Sequence, residues 1–372
     1  MIGNNNDDGI RRGRPEFSES PAVIKVIGIG GAGGNAVNRM INCGLSGVEF
    51  IAMNTDVQVL RSSLAGTRIQ LGKELLAGLG AGGSPEKGRL AAEESKDRIR
   101  EVVTGADMLF ITAGMGGGTG TGGAPIVAEI ARSMGILTVG VVTTPFEYEL
   151  QIRRKQANQG IDELKKHVDT LVTIPNDKIF VVIDERTTHL EQALVIIDDV
   201  LRQAVQAISE IIVKPGIMNR DFNDVKAILK DAGEAHIGMG EASGEDRART
   251  AARKATENPL LENVSIAGAR KILVNITASA KLMTNEVREI MELIRDAVSP
   301  EADFAYGTVR DDDMEDRLKV TVVASGLPPA PKTLRKTPAQ SKTLPEHPSK
   351  PPEKSHGNVE IPAYLSWKKQ FK

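Results

Sequence analysis

The sequence predicts an α/β fold with a Rossmann-like, mainly parallel sheet, a long central helix, a second α+β domain and a disordered C-terminal linker and peptide. From residue 21 to about 185, apolar strand-like runs alternate with helical segments, which is typical of a doubly wound sheet. Residues 191–213 carry apolar side chains at intervals of three and four, which indicates one long helix with a wide buried face.

The most informative segment is Gly116–Gly122, which contains five glycines and two threonines. It follows a strand-like apolar run at 106–113 and precedes the helical pattern of 124–131, whose proline suits a first helical turn. Glycines let backbone N–H groups converge and let a phosphate come close, while a helix N-terminus adds about half a positive charge. The segment therefore predicts an anion site rather than a loop that binds nothing, because ordering five glycines costs conformational entropy that a plain turn would not cost.

A second glycine turn lies earlier in the chain. Gly28, Gly30 and Gly33 match the G-x-G-x-x-G pattern of dinucleotide-binding folds. A dinucleotide site also needs an acidic residue at the end of the second strand, but residues 48–53 run into the neutral Asn54. Two anion turns on one sheet suit a nucleoside triphosphate held from both sides, and the pattern leaves the base open.

Composition excludes several classes of function. A net charge of −2 gives no electrostatic reason to expect nucleic acid as a partner. The single cysteine, Cys43, excludes an internal disulfide, and five scattered histidines without paired cysteines argue against a metal site in the protein. No apolar run approaches the roughly eighteen residues of a membrane span, and the start of the chain lacks the core of a signal peptide. We therefore expect a cytoplasmic protein.

Shifts in composition predict the domain boundaries. The region 328–358 holds eight prolines, and six lysines or arginines against two glutamates, which is typical of an extended linker. Beyond it, the last fourteen residues regain large apolar side chains, which favours a short motif that folds on a partner. The predicted parts are a disordered arm (1–20), a nucleotide-binding domain (21–190), the central helix (191–216), an α+β domain (217–326), a flexible linker (327–358) and a partner-binding peptide (359–372).

One polar loop is open to two interpretations. Asp221 is placed to cap a helix that begins near Phe222, and Asp224 is placed to favour the positive end of that helix. The same carboxylates, together with Asn219, could instead have a catalytic role. Spacing alone does not decide between the two.

The chain resembles the tubulin/FtsZ family of GTPases from about Val23 to Gly326. The resemblance is carried by the Gly116–Gly122 run, which is similar to the family signature GGGTGTG. It extends, in order, over 26–37, 54–56, 106–122, 144–146, 174–177 and 216–225. The resemblance implies a cytoplasmic, filament-forming GTPase of bacterial cell division and septation, which binds GTP or GDP and whose active site is completed by the next subunit of a head-to-tail homopolymer.

The resemblance also implies roles for individual residues. Glu149 would contact the ribose and Arg153 the nucleotide, while Asn176 and Asp198 would read the guanine base. Asn219, Asp221 and Asp224 would enter the neighbouring subunit's pocket and polarise the attacking water, with Mg²⁺ bound mainly through the phosphates. The residues implied at the phosphates are Gly31, Ala32, Gly33, Gly34, Asn35, Gly118, Thr119 and Gly120.

The C-terminal peptide resembles the family's terminal motif, which docks on membrane-tethering and regulatory division proteins. The residues implied in that contact are Ile361, Pro362, Tyr364, Leu365 and Trp367. This resemblance implies assembly at midcell beneath the inner membrane.

Two positions depart from the family pattern. The stretch 148–152 replaces the usual Phe-Glu-Gly, which predicts a different local backbone around Leu150. Leu194 lies where the family commonly has an aromatic ring over the guanine. The absence of this ring would remove stacking worth about 1 kcal/mol.

Two other functions stay open at this point. An NAD-dependent oxidoreductase would explain the first glycine turn but not the second. A scaffold that binds nucleotide without hydrolysing it would explain both turns but would not require the carboxylates of the 219–224 loop.

Overall fold

The computed structural model describes residues 22–181, 183–184, 187–214, 221–257 and 266–327. The predicted N-terminal arm, Asn219, most of the linker and the C-terminal peptide lie outside these residues. Within them, no helix is long and apolar enough to cross a bilayer.

Ten strands form one sheet in the order β3-β2-β1-β4-β5-β6-β7-β10-β8-β9. The first six are parallel to one another, and β7 is parallel to β6. β10 runs antiparallel to both β7 and β8, and β9 is parallel to β8. The strands are β1 (Ile24–Ile29), β2 (Glu49–Asn54), β3 (Thr67–Gln70), β4 (Met108–Gly114), β5 (Leu137–Thr144), β6 (Thr170–Pro175), β7 (Gly233–Ala242), β8 (Lys271–Ala278), β9 (Asp303–Arg310) and β10 (Leu318–Ser325).

Helices cover both faces of this sheet. One face packs against α1, α8 and α9, and the other packs against α4 to α7 and, beyond β7, against α10 and α11. The helices are α1 (Gly30–Asn42), α2 (Val57–Arg61), α3 (Lys73–Leu76), α4 (Pro85–Glu94), α5 (Lys96–Val103), α6 (Thr119–Ser133), α7 (Gln151–Leu164), α8 (Leu190–Val213), α9 (Phe222–Leu229), α10 (Arg247–Thr256) and α11 (Thr284–Ala297).

The predicted fold class is confirmed, including the mainly parallel sheet and the long central helix α8. The apolar stripe of α8 is buried, as its spacing predicts, at positions that include Ile197, Leu201, Ala204 and Ile208. The sequence did not indicate that the predicted nucleotide-binding domain and the predicted α+β domain share one sheet. They are joined because the first residues of β7 pair with the first residues of β6 over three positions.

Both glycine turns are more helical than predicted. α1 begins at Gly30 and α6 begins at Thr119, so glycines that were expected in loops form first helical turns. Pro125 consequently lies inside α6 and not in its first turn. This expectation was wrong because the missing side chains let α6 start close to the end of β4, where an ordinary residue would clash.

The glycines of α6 also allow α4 to pack at backbone distance. A Cβ atom added to Gly122 would lie 2.0 Å from the Pro85 carbonyl oxygen and 2.5 Å from the Arg89 nitrogen. A Cβ added to Gly88 of α4 would lie 2.2 Å from the Gly118 carbonyl oxygen. The two helices therefore exclude any side chain at their crossing point.

We expect Gly122→Ala to destabilise the protein by about 2 kcal/mol, because the methyl group must push α4 away and alanine's better helix propensity cannot compensate. Gly66→Ala is the matched control, since a Cβ there meets no atom within 4 Å. Urea unfolding followed by circular dichroism measures both free energies of unfolding. Equal stability of the two variants would show that α4 yields freely at this crossing.

Candidate nucleotide-binding site

Two uncapped helix N-termini meet at the carboxyl edge of the parallel sheet. α1 follows β1 and α6 follows the neighbouring strand β4, and neither helix has a side-chain hydrogen bond at its cap. A Cβ on Gly30 would lie 3.0 Å from the Gly120 nitrogen, so the two turns are in contact. The first N–H groups of a helix lack partners within the helix, and the helix dipole makes this end positive. Two such ends side by side form an anion-binding site.

The glycines at this edge divide into two groups. Added Cβ atoms on Gly31, Gly34 and Gly117 would meet open space, so packing does not require glycine at these positions. Their bare backbone leaves room for an anion beside both turns.

The second group consists of Gly33, Gly118 and Gly120, which are required by close packing. A Cβ on Gly33 would lie 2.3 Å from the Thr112 carbonyl oxygen, and one on Gly120 would lie 2.9 Å from that of Gly114. Gly118 faces the chain that leads into α4, where Ala81 and Ser84 approach to about the same distance. These glycines hold the two helix ends together, a role distinct from direct contact with a phosphate.

Threonine hydroxyls fix the turn after β4. The Thr119 and Thr55 hydroxyl oxygens lie 2.6 Å apart, and both side chains are buried. The Gly116 N–H donates to the Thr121 hydroxyl oxygen at 2.8 Å. Thr55 was not singled out from the sequence as a site residue, because a threonine just after a strand carries no signal by itself. Its bond to Thr119 ties the end of β2 to the start of α6.

A pair of charged residues borders the site beyond β5. Glu149 forms an ion pair with Arg153, and its other oxygen accepts the Phe146 N–H at 3.0 Å. Arg153 also approaches the Gly116 carbonyl oxygen, at 3.5 Å. The structure therefore brings the predicted ribose and nucleotide contacts to the glycine-rich turn, although they contact each other there.

Asn176 and Asp198 lie on two elements that pack together, the segment after β6 and the helix α8. Asn176 begins a short 3₁₀ segment that packs on α8 through Ile179 and Ile197. The Asn176 side-chain oxygen is buried and has no hydrogen-bond partner in the described part of the chain. Burial raises the pKa of Asp198 to about 6, while the charge of Arg39 on α1 acts in the opposite direction. An unpaired amide and a desolvated carboxyl are groups that a polar ligand would satisfy.

Asp199, the next residue on α8, is engaged elsewhere. Its carboxylate accepts from Arg202 at 2.7 Å, from Gln203 at 2.7 Å and from Arg39 at 3.4 Å. These partners hold the pKa of Asp199 below its ordinary value against the effect of burial. Asp199 therefore ties α8 to α1, and Asp198 takes no part in these hydrogen bonds.

The helix that follows the 219–224 loop, α9, ends at the other edge of the sheet. Asp221 caps α9 by accepting the Asp224 N–H at 2.8 Å, so the predicted capping role is present. The end of α9 meets the first residue of β6, where the Thr170 hydroxyl donates to the Leu229 carbonyl oxygen at 2.5 Å. The glycine turns follow the last residues of β1 and β4, about 20 Å away along a six-residue strand. α8, which precedes the loop, also ends at this edge, since a Cβ on Gly47, two residues before β2, would lie 2.0 Å from the Val213 side chain. The chain from the end of α8 to the end of α9 therefore begins and ends at the edge opposite the glycine turns.

Comparison with known proteins agrees with this arrangement. The family model for the tubulin/FtsZ GTPase domain matches residues 23–184, and the model for the FtsZ C-terminal domain matches residues 233–328. An empty FtsZ dimer from M. jannaschii is 42% identical, covers 83% of this chain and 89% of its own, and superposes with a TM-score of 0.79. The chain belongs to the FtsZ family.

Two further structures extend the comparison. A point mutant of M. jannaschii FtsZ is 43% identical, with 82% of this chain and 92% of that chain covered and a TM-score of 0.79. CetZ2 from Haloferax volcanii, in a GTPγS-bound protofilament, is 20% identical with 82% and 93% covered and a TM-score of 0.67, which shows a shared fold. The family resemblance read from the sequence is confirmed, and the roles of individual site residues stay predictions.

The sequence departs from the FtsZ pattern at Leu150, and the backbone there has an unusual conformation. Leu150 adopts φ 75° and ψ 151°, a backbone region that is almost exclusive to glycine, and its side chain is 73% exposed. The residue lies between Glu149 and Arg153, so the strain is located at the edge of the site.

We expect Leu150→Gly to stabilise the protein by about 1 kcal/mol, because relief of the strain exceeds the entropy cost of glycine in the unfolded chain. Ile152→Gly, at an equally exposed position inside α7, should instead lose about 1 kcal/mol. Thermal and urea unfolding measure both changes. A loss of stability in Leu150→Gly would mean that the backbone at this position is not strained.

Proposed function

We propose that this protein is a GTP-dependent cytoskeletal protein of cell division, which assembles into filaments and hydrolyses GTP to GDP and phosphate where two subunits meet. It carries a tubulin/FtsZ GTPase domain. The observation that carries the proposal is a separation within one molecule: the anion site lies at the carboxyl edge of the sheet, whereas α8 and α9, the helices before and after the 219–224 loop, both end at the amino edge. Head-to-tail stacking would bring one edge against the other.

The triphosphate would bind between the N-termini of α1 and α6. The N–H groups of residues 31–35 and 118–120 lie at these ends, and the open space beside Gly31, Gly34 and Gly117 has room for phosphate oxygens. Among the described residues, no group of three or more potential metal-ligating side chains is assembled. Mg²⁺ would therefore be held mainly by the phosphates themselves, where it offsets their charge.

Guanine would be selected by Asn176 and Asp198. An ionised carboxylate accepts hydrogen bonds from the ring N–H and the exocyclic amine of guanine, whereas adenine offers no matching pair of donors. The unpaired Asn176 amide oxygen could accept a further hydrogen bond. Leu194, which is 45% exposed on the same helix as Asp198, offers an apolar surface but no ring for stacking.

Glu149 would bind the ribose and Arg153 would position the nucleotide from the far side of the glycine turn. Their mutual ion pair keeps both side chains in place before nucleotide arrives. The pair would have to loosen when hydroxyl groups of the ribose compete for the Glu149 carboxylate.

Hydrolysis would use the neighbouring subunit's loop. The Asp221 carboxylate already caps α9, so it would act mainly by fixing the conformation of the loop. Asp224, in the first turn of α9, would be the carboxylate nearer to the attacking water. Asn219 lies outside the described residues, and its role in orienting that water stays a proposal. Neither half-site holds all of these groups, so an isolated subunit should hydrolyse GTP slowly.

The proposed cellular role is a cytoplasmic filament that assembles at midcell beneath the inner membrane. The C-terminal peptide would recruit membrane-tethering and regulatory division proteins through the apolar and aromatic side chains named above. Self-association has support from a relative that forms a dimer and from a more distant one that forms a protofilament.

The two alternatives differ in how well they fit. A dinucleotide-dependent oxidoreductase leaves the second glycine turn unexplained, and the GTPase-domain match favours a guanine nucleotide. A scaffold that binds GTP without hydrolysis shares the same pocket and is separated from a GTPase only by turnover.

We expect GTP turnover per subunit to rise steeply with protein concentration, because each working site needs two molecules. Phosphate release, measured from dilute to concentrated protein alongside light scattering, tests this expectation. A turnover number that is flat over this range in the absence of filaments would contradict the shared site.

Asp224→Ala provides the matching variant. It should bind GTP normally, because its own glycine turns are intact, and should lose most hydrolysis under assembling conditions. Asp246→Ala is the control, since Asp246 is an exposed carboxylate at the start of α10 that makes no capping bond. Normal hydrolysis by Asp224→Ala would assign this carboxylate to helix stability alone.

We also expect guanine-nucleotide affinity to fall as the pH drops through about 6. Asp198 has a raised pKa of about 6, so it is ionised at neutral pH and becomes protonated just below, where it can no longer accept two hydrogen bonds. Titration of GDP between pH 5 and 8 measures the effect. Asp198→Asn should bind weakly and lack this step, whereas Asp199→Asn should retain it. A step of the same size in Asp198→Asn would assign the titration to another group.

A further inference from the structure

A second cavity lies where the two halves of the sheet diverge. β6 and β7 pair only over Thr170–Val172 and Gly233–Ala235, after which β6 continues beside β5 and β7 continues beside β10. The resulting wedge, here called the β6–β7 pocket, has a volume of about 410 Å³. This is the size of cleft that proteins use for small ligands.

The pocket is built from five elements. α7 contributes one face, through side chains spaced three and four residues apart, and β6 contributes alternate residues that point to the same side of the sheet. The residues that form the apolar floor are Pro145, Ala157, Ile161, Leu171, Pro175 and Ala235. Below the sheet, α8 closes the opening between β6 and β7.

The rim of the pocket is charged, and two of its four charges, those of Arg154 and Glu234, are matched by ion pairs. Arg154 pairs with Glu147 at 3.1 Å, and Glu234 pairs with Lys165 at 2.8 Å. The Asp177 carboxylate accepts the Glu147 N–H at 2.9 Å. The Asp177 carboxylate keeps its charge, because a backbone N–H does not neutralise it, so Asp177 and one further cation carry the charges of the rim outside these ion pairs.

That cation is Lys178, which follows Asp177 and is half-buried at the pocket. Within the described ranges, its ammonium group has no ion pair and no hydrogen bond. A half-buried ammonium that faces a cleft with an apolar floor favours a ligand that brings its own negative charge and a compact apolar body.

We infer that the β6–β7 pocket binds a small organic anion, a carboxylate or phosphate monoester with a short apolar body, whose charged group meets Lys178 and whose body lies on the floor between α7 and β6. The pocket is separate from the nucleotide site, which lies along the turns after β1 and β4. It contacts both regions that the FtsZ family models match, since α7 and β6 lie in 23–184 and β7 lies in 233–328.

Such a ligand is placed to act as an effector. Arg154 and Asp177 of the rim directly follow Arg153 and Asn176, which we propose for nucleotide binding. A ligand that fixes the start of α7 and the end of β6 also fixes those neighbours, so binding at the two sites is coupled. This coupling rests on the proposed function, whereas the existence of the pocket's ligand does not.

The binding test uses the full chain without nucleotide and 4-fluorobenzoate as the probe, followed by ¹⁹F NMR. We expect saturable binding that weakens about tenfold in Lys178→Gln, which removes the charge-assisted contact. Lys155→Gln is the matched control, because Lys155 is an exposed lysine of α7 outside the pocket. The uncharged 4-fluorobenzyl alcohol should bind as weakly as the probe binds to Lys178→Gln.

Ala157→Phe fills the floor of the pocket and should abolish probe binding. Circular dichroism checks its fold, and Lys178→Gln decides alone if Ala157→Phe does not fold. Absence of saturation in the parent protein, or equal affinity in Lys178→Gln and Lys155→Gln, would overturn the site.

The coupling has its own readout. GDP affinity is measured with and without saturating 4-fluorobenzoate, and probe affinity with and without GDP. We expect both to change by the same factor, as linkage requires. An unchanged GDP affinity alongside saturable probe binding would overturn the coupling and leave the site, so failure of the nucleotide proposal is distinguishable from failure of the pocket.

Discussion

The contact between the starts of α1 and α6 is the constraint on which the rest of the site depends. A Cβ on Gly33 would lie 2.3 Å from the Thr112 carbonyl oxygen, which leaves no room for a side chain, and Gly30 combines a tight 3.0 Å approach to the Gly120 nitrogen with a φ of +75°. Only this approach places two positive helix ends and their unpaired N–H groups around one space. Strand order adds to it, since β1 and β4 are direct neighbours in the sheet and their carboxyl ends lie together. A chain without these glycines could keep the sheet but not the anion site.

The length of the strands then separates the two edges of the parallel sheet. The anion site lies where the parallel strands end, and both α8 and α9 end where these strands begin. A six-residue strand spans about 20 Å, which no side chain can bridge. Under the proposed function, the geometry that leaves a single subunit incomplete would let a stack of subunits complete the site. Assembly would then control hydrolysis, because it would bring the two edges of the sheet together.

Local pattern predicted much of this molecule. The alternation of strands and helices, the stripe of α8 and the cap of α9 at Asp221 depend on neighbouring residues, so the sequence was enough to predict them. The roles of the separate glycines were not predictable, because Gly118 and Gly122 are constrained by α4, a helix that lies some thirty residues earlier in the chain. β7 escaped prediction because it contains three glycines and two glutamates and is held by its pairing with β6 and β10. The left-handed backbone of Leu150 between Glu149 and Arg153 was likewise not predictable, because this conformation is almost exclusive to glycine.

Complementation between two inactive variants tests the shared site most directly. Gly117→Leu places a side chain in the open space beside the glycine turn and should lose GTP binding while keeping its own α9 carboxylates. Asp224→Ala keeps the pocket and lacks the carboxylate. If the site is shared, an equal mixture should hydrolyse GTP faster than the sum of the two proteins measured alone, because an Asp224→Ala pocket can meet a Gly117→Leu loop. A mixture that never exceeds that sum, although the two variants co-assemble in sedimentation, would contradict the account.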